Sequence, residues 1–128
     1  MQTATEQHLV LVVDDDRFIR DVVAACLEDE PDIRTAAAAD GQEALRLLAA
    51  ERPSVMILDL AMPRLDGFEV CRRLKADPST SRIPVIAMSA GERRRPALDA
   101  GCDEFVAKPF DVDYLCRTVR RWLDTPGR

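Results

Sequence analysis

The stretch Ser54–Pro63, with the sequence SVMILDLAMP, decides the fold of this chain. Its apolar run contains β-branched residues and is bounded by Pro53 and Pro63, which is typical of a strand covered on both faces. Asp59 ends this strand with a carboxylate. Because an ionised carboxylate is costly to remove from water without partners, Asp59 implies paired cations, a bound metal or a chemical role.

A second buried strand, Leu9–Val13, also ends in acid, at Asp14, Asp15 and Asp16. Apolar residues at helical spacing follow it, so the two segments form one strand-helix unit. Asp16 stands immediately before that helix and is interpreted as its N-cap or as a solvated acid, in preference to a third metal ligand. The first two acids are left as candidates for the same edge of a sheet as Asp59.

The rest of the chain alternates short apolar segments with amphipathic ones. Strands are predicted at 33–39, 83–88 and 104–107. Three further helices are predicted to begin after acidic caps, at Asp40, Asp66 and Asp111. A proline inside a helix costs ~3 kcal/mol but almost nothing in the first turn, so the fourth helix is predicted to start near Pro96. With Gly101 as its stop, this helix is shortened to about one and a half turns.

Five strands alternating with helices predict an α/β fold: a doubly wound, five-stranded parallel sheet with helices on both faces. In such sheets ligands bind outside the carboxyl ends of the strands. The polar residues at those ends are Asp14, Asp15, Asp59, Ser89 and Lys108. We therefore expect these five side chains to lie on one rim of the sheet.

Three carboxylates on one rim repel one another, at about 1 kcal/mol per pair in water and about 4 kcal/mol at an effective dielectric constant of 20, for a separation of ~4 Å. Lys108 offers one compensating charge and a divalent cation offers two. Because the candidate ligands are all oxygens, Mg²⁺ is favoured, with Mn²⁺ as the alternative. A lysine, a hydroxyl and a metal ion around one carboxylate would suit a phosphoryl group.

Composition narrows the class of protein. The 128 residues suit a single domain, 1–128, with a core from about 9 to 123, and the net charge of −5 weakly disfavours direct DNA binding. We expect no membrane segment, no signal peptide in Met1–His8 and a cytoplasmic location, because no apolar run approaches ~20 residues. The four cysteines lack metal-ligand spacing and should be free thiols. His8, the only histidine, lies before the first strand, which excludes Ser-His-Asp and Cys-His catalysis.

Short sequence blocks lie in order at or after the ends of the predicted strands: Val12–Asp15, Leu58–Pro63, Asp66-Gly67, Met88–Ala90 and Lys108–Phe110. Together they resemble the signature blocks of response-regulator receiver domains of two-component systems, and the chain is most similar to stand-alone, chemotaxis-type receivers. The resemblance implies the strand order 2-1-3-4-5.

The resemblance also implies roles for the acidic residues. Asp59 would be the phosphoacceptor, taking a phosphoryl group from a phosphohistidine on a histidine kinase or histidine phosphotransfer protein. Asp15, Asp59 and the backbone carbonyl of Ala61 would coordinate Mg²⁺ directly, and Asp14 would act through bound water.

The resemblance also implies roles for the residues that respond to phosphorylation, although some of them differ from the family pattern. Lys108 would pair with the phosphoryl oxygens, Ser89 would hydrogen-bond them after transfer, and Lys108-Pro109 would be a cis peptide. Ser89 stands where threonine is common, and lacks the methyl group that restricts its rotamer. Phe105 stands at the aromatic switch position, often tyrosine, and keeps the possibility of inward rotation. The stretch 89–108 is shorter than expected by about one helical turn of 3.6 residues.

Several alternatives remain open at this stage. We expect the chain to catalyse only its own phosphorylation and dephosphorylation. Its downstream target is unknown, and it would be a monomer or a weak phosphorylation-dependent dimer. It could instead be a pseudo-receiver that is not phosphorylated, or a receiver excised from a larger regulator or hybrid kinase. A phosphatase of the haloacid-dehalogenase type is disfavoured, because such enzymes need an acid where Ala61 stands. The run Arg93–Arg95 is either a solvated basic edge or a patch for an acidic partner.

Overall fold

The computed structural model describes residues 7–125 of the predicted domain 1–128. Most of Met1–His8, where no signal peptide is predicted, lies outside the described residues. One parallel sheet has the strand order β2-β1-β3-β4-β5. Its strands are His8–Val13 (β1), Ile33–Ala38 (β2), Val55–Asp59 (β3), Val85–Ser89 (β4) and Glu104–Ala107 (β5). The helices are Arg17–Leu27 (α1), Gly41–Ala50 (α2), Gly67–Ala76 (α3), Arg94–Asp99 (α4) and Val112–Leu123 (α5), with a 3₁₀ turn, Gly91–Arg93, before α4. The predicted sheet and strand order are confirmed.

The sheet is buried on both faces, as the unbroken apolar strands predict. Successive side chains of a strand point to opposite faces. In β1, Leu11 and Val13 pack with α2, α3 and α4, whereas Val10 and Val12 pack with α1 and α5. The helices therefore cover both faces, and only the edges at the strand ends remain for a ligand.

Acidic residues cap four of the helices, which confirms the predicted N-termini. The side chain of each cap accepts a hydrogen bond from a backbone N–H of the first turn, an interaction typically worth ~1 kcal/mol. The caps and their donors are Asp16 with Phe18, Asp40 with Glu43, Asp66 with Glu69, and Asp111 with Asp113 and Tyr114. Asp16 is thus engaged as a cap.

The fourth helix is short and begins near Pro96, as predicted. α4 begins at Arg94, and Pro96 is its third residue. This position still lies in the first turn, where the backbone N–H groups have no intrahelical partner and a proline loses nothing. The helix ends before Gly101, whose φ of 107° is a conformation that favours glycine. β4 begins at Val85, just after the proline that was placed near its start.

Two compositional expectations can be compared with the described residues. All four cysteines are free thiols, as predicted, with Cys71 and Cys102 buried and Cys26 and Cys116 partly exposed. Between residues 7 and 125, no helix has the length and apolar character needed to cross a bilayer.

At Gly67, α3 lies directly against the end of β3. A Cβ atom at this position would lie 2.5 Å from the carbonyl oxygen of Asp59 and 2.7 Å from the Cα of Leu60. Since backbone atoms cannot yield cheaply, we expect Gly67→Ala to lower the free energy of unfolding by about 1–3 kcal/mol in urea denaturation. Gly91→Ala is the matched control, because no atom lies within 4 Å of its added Cβ. Equal stability of the two variants would contradict this packing.

Candidate functional site

The register of the sheet brings four predicted site residues to one rim. Asp14 follows β1, Asp59 and Ser89 are the last residues of β3 and β4, and Lys108 follows β5. The register pairs are Val13 with Leu58, Asp59 with Met88, and Ser89 with Ala107. Because the strands are parallel, their carboxyl ends coincide, and the predicted convergence on one rim is observed.

Three carboxylates and one ammonium group form the centre of this rim. One ligand oxygen from each of Asp14, Asp15 and Asp59 lies within 4.8 Å of the other two. The Lys108 Nζ atom lies 3.2 Å from Asp14 Oδ2 and 3.5 Å from Asp59 Oδ1. Asp14 and Asp59 are buried, whereas Asp15 is exposed. A single positive charge thus faces three negative ones.

Hydrogen bonds fix the two buried carboxylates and leave one oxygen free. The backbone N–H of Asp16 donates to Asp14 Oδ1 at 2.8 Å, and that of Ala61 donates to Asp59 Oδ1 at 3.1 Å. Lys108 also contacts Asp59 through Oδ1. Within residues 7–125, therefore, Asp59 Oδ2 keeps its lone pairs for a ligand or a reacting atom.

The remaining predicted residues differ in their relation to this centre. Ser89 and Ala61 line the same cleft, and the Lys108-Pro109 peptide is cis. The Lys108 N–H donates to the Ser89 carbonyl at 2.8 Å, which ties the ends of β4 and β5 together. Phe105 lies outside the cleft, and its ring is already buried, at 4% exposure. The role of Phe105 as an aromatic switch stays a prediction.

The cleft also contains residues that the sequence did not mark as site residues. It is lined by Asp14, Asp15, Asp16, Asp59, Ala61, Ser89, Ala90, Glu92, Arg93 and Lys108. Glu92 and Arg93 are the additions with charge. Their position in the turn directly after Ser89 is the only sequence signal for them, because any residue soon after a strand end lies near the rim.

Comparison with known proteins identifies the family. The family model described as the response regulator receiver domain matches residues 10–120. The chain belongs to this family.

Curated and structural relatives agree with that assignment. The receiver domain is 39% identical over 117 residues to response regulator MprA of Mycolicibacterium vanbaalenii, a match that covers 89% of this chain and 49% of that protein. It therefore spans about half the length of the curated relatives it matches. Among solved structures, the receiver domain of Francisella response regulator 1452 has a TM-score of 0.83 at 33% identity, covering 91% of this chain and 97% of that one. Chemotaxis protein CheY4 of Vibrio cholerae has a TM-score of 0.81 at 30% identity, with coverage of 90% and 98%.

Charge repulsion shapes the titration of this receiver domain. Burial, followed by the charge of Asp14, raises the pKa of Asp59 from 3.8 to about 6, although the Ala61 N–H and Lys108 favour its ionised form. For Lys108, burial disfavours the charged form, yet the carboxylates of Asp59 and Asp14 outweigh it and raise the pKa. At neutral pH Asp59 is thus mostly an anion beside a cation that stays protonated.

The donor set of the cleft fits a small, hard divalent cation. All three clustered side chains offer carboxylate oxygens, and histidine and cysteine are missing from the lining. Mg²⁺ and Mn²⁺ prefer such ligands. The excess negative charge and the unengaged oxygen of Asp59 both favour binding of the ion.

The raised pKa of Asp59 predicts a pH-dependent cost in stability. Because Asp59 binds its proton more tightly in the folded state, its own contribution to stability is fully present below pH 3.8 and is lost as the pH rises through about 6. Without divalent metal we expect Asp59→Asn to exceed the wild type by about 1–3 kcal/mol at pH 8, since about two pKa units correspond to ~3 kcal/mol. The gap should close as the pH falls below 4 in the same urea titrations.

Asp16→Asn is the matched control, because asparagine caps a helix as well as aspartate does. A similar gain in the free energy of unfolding at pH 8 in this variant would show that the effect comes from overall charge. It would contradict a specific cost of ionising Asp59.

Proposed function

We propose that this receiver domain accepts a phosphoryl group on Asp59 from a phosphohistidine of a histidine kinase or histidine phosphotransfer protein. The observation that carries the proposal is the convergence of Asp14, Asp15 and Lys108 on a carboxylate with one unengaged oxygen. In the transfer, an Asp59 oxygen would attack phosphorus while the bond between phosphorus and the histidine nitrogen breaks. The product is an acyl phosphate, and the imidazole leaves and takes up a proton.

Mg²⁺ or Mn²⁺ would be held by the carboxylates of Asp15 and Asp59 and the carbonyl of Ala61, with Asp14 acting through water. When bound, the ion would supply positive charge to the oxygens of the transferring group. Lys108, already beside Asp59, would donate to the same oxygens. Ser89 would donate its hydroxyl hydrogen to the phosphoryl group after transfer.

Membership of the receiver family also suggests a biological role. Phosphorylation would switch binding to a downstream target that the chain does not identify, with no catalysis beyond formation and loss of its own acyl phosphate. We propose that the domain neither binds DNA directly nor attaches to a membrane. We propose a cytoplasmic protein that is a monomer or a weak phosphorylation-dependent dimer, either acting alone or as part of a larger regulator or hybrid kinase.

Two alternatives make different predictions about the site. A pseudo-receiver would bind a partner without phosphorylation, but the full set of acids and the lysine is present in the cleft. A haloacid-dehalogenase-type phosphatase would turn over unrelated phosphoesters, but Ala61 offers no acid where that mechanism needs one.

Direct phosphorylation tests the proposal. With Mg²⁺ and acetyl phosphate, mass spectrometry of the intact protein should show one added phosphoryl group, which is lost slowly afterwards. Asp59→Asn should show none, and chelation of the metal should abolish the adduct in the wild type. Rapid multiple turnover of an aryl phosphate would instead support the phosphatase. An unmodified wild-type protein under these conditions would refute phosphorylation at this site.

Lys108 and Ser89 should affect the phosphorylation-dependent change in partner binding more than the transfer of the phosphoryl group to Asp59. We expect Lys108→Ala to keep some phosphorylation but to lose the change in partner binding, because the ammonium group that would pair with the phosphoryl oxygens is removed. Ser89→Ala should weaken the response more than the phosphorylation yield. Both are measured by comparing adduct formation with phosphorylation-dependent pull-down of the partner. Wild-type partner binding by both phosphorylated variants would contradict these roles.

A further inference from the structure

The arginine run that follows β4 sends its three side chains to three different places. Arg95 Nε lies 3.8 Å from Asp99 Oδ1 in an exposed pair on α4. The Arg94 guanidinium lies over the Phe105 ring, 4.9 Å from its centroid. Arg93 alone of the three lines the acidic cleft around Asp59. The run is therefore not one uniform basic edge.

Arg93 is held near the cleft by its backbone but is not committed by its side chain. Its N–H donates to the Ala90 carbonyl at 2.9 Å, which closes the turn directly after β4. The guanidinium lies 5.9 Å from the centroid of the Phe68 ring, close to the outer limit of a cation–π contact. Within residues 7–125 it forms no ion pair with a carboxylate. Little is lost if this side chain exchanges the ring for a stronger partner.

A phosphoryl group on Asp59 would be a stronger partner for the Arg93 guanidinium than the Phe68 ring. A phosphoryl group at neutral pH carries close to two negative charges, more than the single charge of the carboxylate it modifies. Lys108 is already shared between Asp14 and Asp59, and Arg93 is the other cationic side chain in the lining of the cleft. The planar guanidinium can donate two parallel hydrogen bonds to phosphoryl oxygens, which an ammonium group cannot.

We propose that Arg93 is a second phosphoryl-binding cation of this receiver domain. In the phosphorylated protein its guanidinium leaves the Phe68 ring and donates to the oxygens on Asp59, beside Lys108 and Ser89. The inference rests on the proposed phosphorylation of Asp59. It gives the turn before α4 a direct contact with the phosphoryl group, and the next residue, Arg94, connects that turn to Phe105.

Beryllofluoride, which mimics a phosphoryl group on a carboxylate, measures this contact without a kinase. Its affinity for the full chain with saturating Mg²⁺ is determined by titration calorimetry or fluorine NMR. We expect Arg93→Gln to weaken binding about tenfold, as loss of a charge-assisted pair predicts, and Arg93→Lys to weaken it less. Arg95→Gln, the matched removal of one exposed positive charge nearby, should bind like the wild type. Thermal unfolding of the metal-free variants checks that each is folded.

The outcomes separate this inference from the proposed function. If the wild type binds beryllofluoride and Arg93→Gln binds equally well, the role of Arg93 is overturned and phosphorylation of Asp59 stands. Equal weakening in Arg93→Gln and Arg95→Gln would assign the effect to overall charge and would also overturn it. A wild-type protein that neither binds beryllofluoride nor takes a phosphoryl group from acetyl phosphate would overturn the proposed function together with this inference.

Discussion

The carboxylates of Asp14 and Asp59 lie side by side because β1 and β3 are neighbours in a parallel sheet whose register pairs Val13 with Leu58. Burial, followed by repulsion from Asp14, raises the pKa of Asp59 to about 6, and one lysine at 3.5 Å offsets part of the shift. A divalent cation bound there, as proposed, would relieve the remaining charge and so stabilise the folded state. A cleft that carries such a cation then favours an anion. On the proposed function, this unfavourable contact in the free protein would contribute to the affinity for both the cation and the phosphoryl group.

The sheet can impose this contact because apolar packing, not the site, fills both of its faces. β1 and β3 are buried on both faces, and their apolar side chains fill two separate layers under the helices. Asp59 is the last residue of β3, and Gly67 brings α3 against its carbonyl so closely that a methyl group would not fit. The backbone at Asp59 therefore cannot retreat from the repulsion. The carboxylates of Asp14 and Asp59 therefore stay close together in the free protein.

Much of this could be predicted from the sequence because the signals are local. Strand ends are marked by a change from apolar to acidic residues, and caps by an acid before a helical pattern, so the fold and the positions of Asp14 and Asp59 followed. The direction of long side chains is not local. The 3₁₀ turn before α4 and the burial of Phe105 depend on how α4 packs on the sheet, and the sequence offered only Pro96 and Gly101 as markers. For the same reason the sequence treats Arg93–Arg95 as one unit, either a solvated edge or a patch for an acidic partner, although each arginine has a different partner.

The segment from β4 to β5 is the part of the structure that a change at Asp59 can move most easily. α4 has six residues and buries one of them, Ala97, whereas α3 buries four. Elements with few buried contacts open or shift at the lowest cost in free energy. This weakly held helix lies between Ser89, at the cleft, and Phe105, at the sheet edge, and Arg94 adds a contact to the latter. If Asp59 is phosphorylated as proposed, a displacement of the turn after β4 would move α4 more easily than the sheet, whose central strands are buried on both faces.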